Sequence, residues 1–168
     1  EINNEYEIFE KDPRNIKLGK KLIQKNKFIK NDLEIKEINE NKYHEILIRN
    51  NVPYSIFDLK QNKSLLLENN FENLNSISWD KGCYVGQEIT ARMKYRALLK
   101  KRIFSLVIKN GSPKIQQSIK DNENDYGKII SVENESVLAM LKIELAEIKI
   151  NKQQHIKTNE GIVLEFIV

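Results

Sequence analysis

The sequence has 168 residues and a mass of 19.8 kDa, which suits one domain of ordinary size or two small ones. Hydrophobic residues make up 40% of it and the mean hydropathy is −0.55, a balance that indicates a globular core and excludes global disorder. No apolar run approaches the roughly 20 residues of a transmembrane helix, and residues 1–10 lack the basic and apolar regions of a signal peptide. We therefore expect an intracellular protein that does not enter a membrane.

The cysteine content and the distribution of charge exclude some kinds of functional site and favour one segment of the sequence. Cys83 is the one cysteine, which excludes an internal disulfide and any metal or iron-sulfur site built only from thiolates of this chain. The formal net charge is +4. Residues 80–102 alone carry seven basic and two acidic side chains, so the rest of the sequence is close to neutral. We expect the functional residues in this basic segment.

The first part of the sequence predicts a mixture of helices and short strands. In chain order, the expected elements are a strand at 6–9, an extended segment at 16–23, a helix at 38–49 and short strands at 56–59 and 64–67. Residues 81–86 contain two glycines and predict a loop. A short helix is expected from there to about residue 95, because apolar residues recur at every fourth position.

From residue 99 onward the pattern becomes β-rich. Turn signals containing Asn, Gly, Asp or Pro separate five strand-like runs, at 102–108, 114–119, 126–132, 137–145 and 162–167. This pattern predicts a small antiparallel β-barrel. The expected fold class is therefore α+β, with an α+β domain at residues 1–98 and a β-barrel domain at 99–168.

Cys83 has neighbours that favour a reactive thiol. It precedes the expected helix start by about three residues and follows Lys81 by two positions, and both features stabilise a thiolate. The alternative is a small buried side chain in a glycine-bounded turn. Local features leave both interpretations open.

Several polar residues nearby have a structural and a functional interpretation. Gln87 and Glu88 stand where they can cap the expected helix, and Glu88 suits the helix dipole. Arg92 and Arg96 share a helix face that can bind an anion or lie solvated. Glu68 ends an apolar run, where a carboxylate can accept hydrogen bonds from the N–H groups of a heterocycle.

Other common site types find little support. The two histidines, His44 and His155, have no second ligand at metal spacing, and we expect both to be solvated surface residues without a role. Neither common nucleotide-binding glycine loop is present.

The octapeptide K-G-C-Y-V-G-Q-E at residues 81–88 resembles the K-G-C-Y-x-G-Q-E signature of the YgfZ family of folate-binding proteins, which are relatives of the glycine cleavage T protein. Shorter matches support it along most of the chain: D-P-R at 12–14, L-G at 18–19, N-V-P at 51–53, L-E at 67–68, T-A-R at 90–92, Y-G-K-I-I-S at 126–131 and L-A-M-L at 138–141.

The resemblance implies a fold, a role and a set of site residues. The fold is expected to follow the T protein, whose domains surround a central channel for tetrahydrofolate and whose last domain is a β-barrel. Because family members are longer, we expect this chain to lack the N-terminal domain. The implied role is maturation or repair of iron-sulfur proteins, including the enzyme that thiomethylates tRNA, in the cytoplasm or the mitochondrial matrix.

The implied site has two parts. Cys83 is the working thiol, with Lys81 beside it, and Glu68 matches the glutamate that contacts the pterin in T protein. The remaining expected tetrahydrofolate contacts are Tyr84, Gly86, Gln87, Glu88 and Arg92. The expected partners are iron-sulfur client proteins or assembly factors.

Two other functions stay open from the sequence. One is an aminomethyltransferase that moves a one-carbon unit to tetrahydrofolate, although T proteins lack the cysteine of the octapeptide. The other is an RNA-binding module that uses the basic segment, where Tyr84 and Tyr95 are the few aromatic residues available for stacking. Direct contact with tRNA is not needed for the leading interpretation.

Overall fold

The computed structural model describes residues 6–24, 36–96 and 98–167. It begins with an antiparallel hairpin of β1 (Tyr6–Lys11) and β2 (Lys20–Gln24). This confirms the predicted strand at 6–9. The extended segment expected at 16–23 is divided, because a 3-10 turn at Ile16–Leu18 precedes β2 and ends at Gly19, whose φ is 81°.

Helix α1 (Glu40–Arg49) confirms the helix predicted at 38–49. The side chain of Asn39 caps it by accepting a hydrogen bond from the Lys42 N–H at 2.8 Å. Two adjacent residues of α1 are fully buried in separate clusters. Leu47 packs near Val52, and Ile48 packs with apolar residues of the β-sheet. The helix therefore joins the first part of the chain to the second.

The strands predicted at 56–59 and 64–67 are wrong, since residues 55–75 consist mainly of turns. The backbone satisfies its hydrogen bonds locally: Asp58 N donates to Tyr54 O at 2.8 Å and Ser64 N to Lys60 O at 3.0 Å. Left-handed asparagines reverse the chain here, with φ of 60° at Asn62. These runs therefore satisfy their backbone hydrogen bonds within turns and pair with no strand among the described residues.

The β-rich part forms one antiparallel sheet with strand order β4-β5-β6-β3-β8-β7. Its strands are β3 (Lys101–Asn110), β4 (Ser118–Lys120), β5 (Asp125–Glu133), β6 (Ser136–Lys142), β7 (Ile156–Lys157) and β8 (Val163–Phe166). The two ends of the sheet come together where Asn159 N donates to Lys120 O at 3.0 Å. The sheet is therefore a nearly closed barrel, as the sequence predicted.

One helix in this part was not predicted. The run at 137–145 is a strand only up to Lys142, and α3 (Ile143–Asn151) follows it directly. Ala146 of α3 is fully buried against the barrel core, which also contains Leu106, Ile129 and Leu164. The strand predicted at 137–145 therefore overlaps the first three residues of this helix.

Both faces of the sheet are covered near its centre. The inner face forms the barrel core, and the outer face carries Ile103, Ile130 and Leu138, which pack with Ile48 of α1. The division into domains at residue 99 stays a prediction. No helix among the described residues is long and apolar enough to cross a membrane.

Candidate functional site

Cys83 is exposed on the loop that precedes α2 (Gln87–Tyr95). The alternative of a buried structural cysteine is therefore wrong. Gly86 adopts a left-handed φ of 87° before the helix starts, and the Gln87 N–H donates to Tyr84 O at 3.1 Å. This turn closes the loop, which explains the second glycine of the octapeptide. The thiol is accessible to a reactant or a metal ion from solution.

The other octapeptide side chains lie at the surface around this turn. The Lys81 ammonium group is 4.5 Å from the centroid of the Tyr84 ring, a cation-π contact. Glu88 and Arg92 form an exposed ion pair one helical turn apart. That pair supports the structural interpretation of both residues, since each already has a partner.

Helix α2 is fixed by one glutamate to residues 55–75, which we call the turn segment. Glu72 accepts from Trp79 Nε1 at 3.0 Å and forms an ion pair with Lys94. The Lys94 ammonium group lies 4.0 Å from the centroid of a Trp79 ring, and Tyr95 meets the same indole edge to face. These contacts position the helix whose N-terminus follows Cys83.

Glu68 lies in a different place, in a cavity of about 340 Å³ between the turn segment and the outer face of the barrel. The Ile103 N–H donates to Glu68 O at 2.8 Å and holds this residue against β3. Ile130 and Met140 on neighbouring strands form an apolar floor. The other lining residues are polar or charged: Asp58, Lys60, Lys63, Ser64, Asn69, Lys101, Gln116 and Lys128. None of the octapeptide residues lines this cavity.

The cavity is strongly basic. Its four lysines, Lys60, Lys63, Lys101 and Lys128, form no ion pair with any described residue, and Lys60 reaches only the neutral Gln116 Oε1 at 3.3 Å. Of the two acids in the lining, Asp58 is fully buried and already paired. Glu68 is thus the one carboxylate left to balance four ammonium groups.

His44 corrects the sequence interpretation, because it is 2% exposed and not a surface residue. Its Nε2 lies 3.1 Å from Asp58 Oδ1 and its Nδ1 lies 3.2 Å from Glu133 Oε1. An ionised carboxylate can only accept, so a ring nitrogen that hydrogen-bonds to one of these acids acts as the donor. The Ser131 hydroxyl and the Tyr54 N–H, the latter at 2.6 Å, also donate to Asp58.

One part of this buried network was predictable from the sequence. His44 precedes Leu47 and Ile48 by three and four residues, so it shares their helix face and their burial. Its two acidic partners are distant in sequence, and no local pattern connects them. His155 is exposed, as expected. Among the described residues, no group of His, Cys, Asp and Glu is arranged to hold a metal ion.

Comparison with known proteins identifies relatives of part of this chain. The chain is 30% identical over 125 residues, covering 71% of this chain and 34% of the relative, to the mitochondrial iron-sulfur cluster assembly factor IBA57 of Mus musculus. The human protein of that name is 40% identical over 62 residues, 37% of this chain and 17% of the relative.

A bacterial relative is similar to a longer stretch than the human one. The tRNA-modifying protein YgfZ of Vibrio atlanticus is 33% identical over 98 residues, which is 54% of this chain and 29% of the relative. The chain thus spans about a third of the length of these relatives, or less. No family model matches the sequence.

Proposed function

Because the chain belongs to the YgfZ family, we propose that it is an accessory factor in the assembly or maturation of iron-sulfur proteins, with Cys83 as its working thiol. The observation that carries this proposal is the exposed position of Cys83 at the start of α2. Relatives named as an iron-sulfur cluster assembly factor and as a tRNA-modifying protein support it. The clients are then iron-sulfur enzymes, including those that modify tRNA, in mitochondria or in the bacterial cytoplasm.

A single thiol limits how Cys83 can act. Iron-sulfur clusters are usually held by four cysteine thiolates, so one thiolate contributes one ligand and the client supplies the others. We therefore propose a transient or shared contact between Cys83 and a cluster or its iron. Lys81 places a positive charge two residues before Cys83, and α2 begins four residues after it.

We place tetrahydrofolate in the cavity around Glu68. The cavity volume is within the range of small-molecule sites. The Glu68 carboxylate can accept from the N–H groups of a pterin, and Ile130 with Met140 provides an apolar surface for the ring. When bound, tetrahydrofolate supplies a carrier for one-carbon units. Contacts of folate with Tyr84, Gly86, Gln87, Glu88 and Arg92 stay a prediction.

Cells that lack the corresponding endogenous factor provide the test. Expression of the full chain is expected to restore the activity of [4Fe-4S] enzymes, whereas Cys83→Ser is expected to leave that activity at the level of the deficient cells. Ser112→Ala, at an exposed turn, is the matched control and should restore it fully. Full activity with Cys83→Ser, at equal protein level, would reject the thiol role.

A second measurement addresses the alternative enzyme activity. The purified protein is incubated with tetrahydrofolate and the aminomethyl-lipoyl substrate of glycine cleavage. We expect no methylenetetrahydrofolate. Its formation would replace the accessory role with aminomethyl transfer.

A further inference from the structure

We propose that a groove beside the C-terminal end of α3 binds a nucleoside monophosphate, either free or as one residue of a single-stranded RNA. The groove consists of two cavities of about 390 and 420 Å³. It includes neither a residue that lines the cavity around Glu68 nor a residue of the Cys83 loop, so this site is independent of the function proposed above. Four residues line both cavities and define the α3 groove: Lys149, Gln153, Gln154 and His155.

The end of α3 places two unpaired amide side chains at this groove. Gln153 has a left-handed φ of 52°, and Gln154 N donates to Lys149 O at 2.9 Å, which is a common way for a helix to end. Glycine or asparagine is usual in this conformation, whereas glutamine is unfavourable there. Neither Gln153 nor Gln154 uses its side-chain amide in a hydrogen bond within the described part of the chain. Both amides are therefore free to bind a ligand.

The unpaired charges of the groove are positive. Its two acids are engaged: Asp121 accepts a phenol O–H and two backbone N–H groups from nearby residues, and Glu165 forms an ion pair with Lys109. Lys149 and Lys157 form no ion pair with any described residue. A phosphate monoester carries about two negative charges at neutral pH, which matches these two ammonium groups.

One of the two cavities also has an apolar surface, formed by Ile150 and Phe166. Phe166 is partly exposed and meets Phe104 at an interplanar angle of 83°. Nucleic-acid bases of any sequence stack on aromatic side chains, and the amides of Gln153 and Gln154 supply donors and acceptors for the edge of a base. A nucleoside monophosphate uses the ring, the amides and the lysines, whereas inorganic phosphate uses the lysines alone.

The test titrates the full chain with AMP, adenosine and ribose 5-phosphate in a calorimeter. We expect AMP to bind at least about tenfold more tightly than either fragment, because it uses the ring surface and the lysines together. Lys149→Gln with Lys157→Gln should weaken AMP by about tenfold and adenosine by less than about twofold. Phe166→Leu should weaken AMP and adenosine by about fivefold or more and leave ribose 5-phosphate within about twofold.

A matched control separates the groove from net charge. Lys100→Gln with Lys114→Gln removes the same charge at exposed positions outside the groove, and it should bind AMP as tightly as the unchanged chain. Thermal unfolding of each variant checks that it is folded. Tetra-adenylate serves as the RNA probe and distinguishes the two sources of the nucleotide.

Each outcome supports the site or overturns it. Binding of neither AMP nor tetra-adenylate overturns it, and so does an equal loss of affinity in the groove and control variants, which identifies unspecific attraction. Equal affinity for AMP and either fragment overturns the nucleotide site as well. If the variants behave as expected, tetra-adenylate that binds more than about tenfold more tightly than AMP identifies RNA as the source, and a smaller difference identifies the free nucleotide. None of these results affects the thiol role or the folate site.

Discussion

Replacing His44 with leucine tests whether the buried histidine holds the first part of the chain on the barrel. The side chain of Asp58 is 0% exposed and that of His44 is 3% exposed, so their pair is shielded from water. In His44→Leu the carboxylate of Asp58 stays buried without its hydrogen bond to His44 Nε2 at 3.1 Å. Removing one partner of a buried hydrogen bond to an ionised group costs about 1–3 kcal/mol. We expect a loss within this range, because Tyr54 N–H and the Ser131 hydroxyl still donate to Asp58.

A second variant separates charge from packing. Adding Asp58→Asn to His44→Leu removes the uncompensated charge, while the amide oxygen can still accept from the Tyr54 N–H. The double variant should therefore be more stable than His44→Leu by about 1 kcal/mol or more. Lys42→Gln is the control, since its pair with Glu45 is half exposed and should contribute less than about 1 kcal/mol.

Urea unfolding of the full chain measures these differences. Trp79 is the one tryptophan and reports on the turn segment by fluorescence, while far-ultraviolet circular dichroism reports on the whole fold. A loss below about 1 kcal/mol in His44→Leu, or no recovery in the double variant, would show that His44 does not stabilise the buried carboxylate.

Two further predictions concern the barrel. Gly127→Ala should destabilise the protein by about 3 kcal/mol, because φ is 145° and an added Cβ would lie 2.0 Å from Met140 O. Gly161→Ala is the control, since its Cβ would meet no atom, and it should lower the free energy of unfolding by only about 1 kcal/mol. Thermal unfolding of both variants measures the difference. Burial and the hydrogen bond to Asp121 raise the pKa of Tyr126 from 10.0 to about 12. The protonated phenol therefore stabilises the fold below pH 10, and this contribution of about 3 kcal/mol is lost as the pH rises from about 10 through about 12. Unfolding of Tyr126→Phe should lack that part of the pH dependence, and an unchanged profile would contradict it.

The barrel was predictable because its strands follow a strong local pattern. Runs of β-branched and apolar residues between turn signals indicated the strands that became β3, β5, β6 and β8. The same rule failed at residues 56–67, where local turn hydrogen bonds replace strand pairing. It also failed at the end of the run 137–145, since the local pattern does not reveal that α3 begins at Ile143 and that Ala146 packs on the barrel core. Tertiary packing decided both cases.

The candidate site likewise has one part that was predictable from the sequence and one part that was not. Cys83 could be predicted because its loop, its glycines and the helix after it are contiguous in sequence. The basic cavity and the His44 network could not, because Lys63 and Lys128, or His44 and Glu133, meet only when the turn segment and α1 pack on the sheet. Residues so far apart in the sequence have no regular spacing that would predict their contact.

The segment from Glu68 to Glu72 connects the two parts of the site. At one end the carbonyl of Glu68 accepts from Ile103 N–H, which fixes the cavity wall to the barrel. At the other end Glu72 holds Trp79 and Lys94, which fix α2 and hence the loop of Cys83. Between them Asn69 and Asn70 are buried, so the segment cannot move freely in solvent. The loop of the thiol and the wall of the cavity are therefore connected through one partly buried segment, although no octapeptide residue lines the cavity itself.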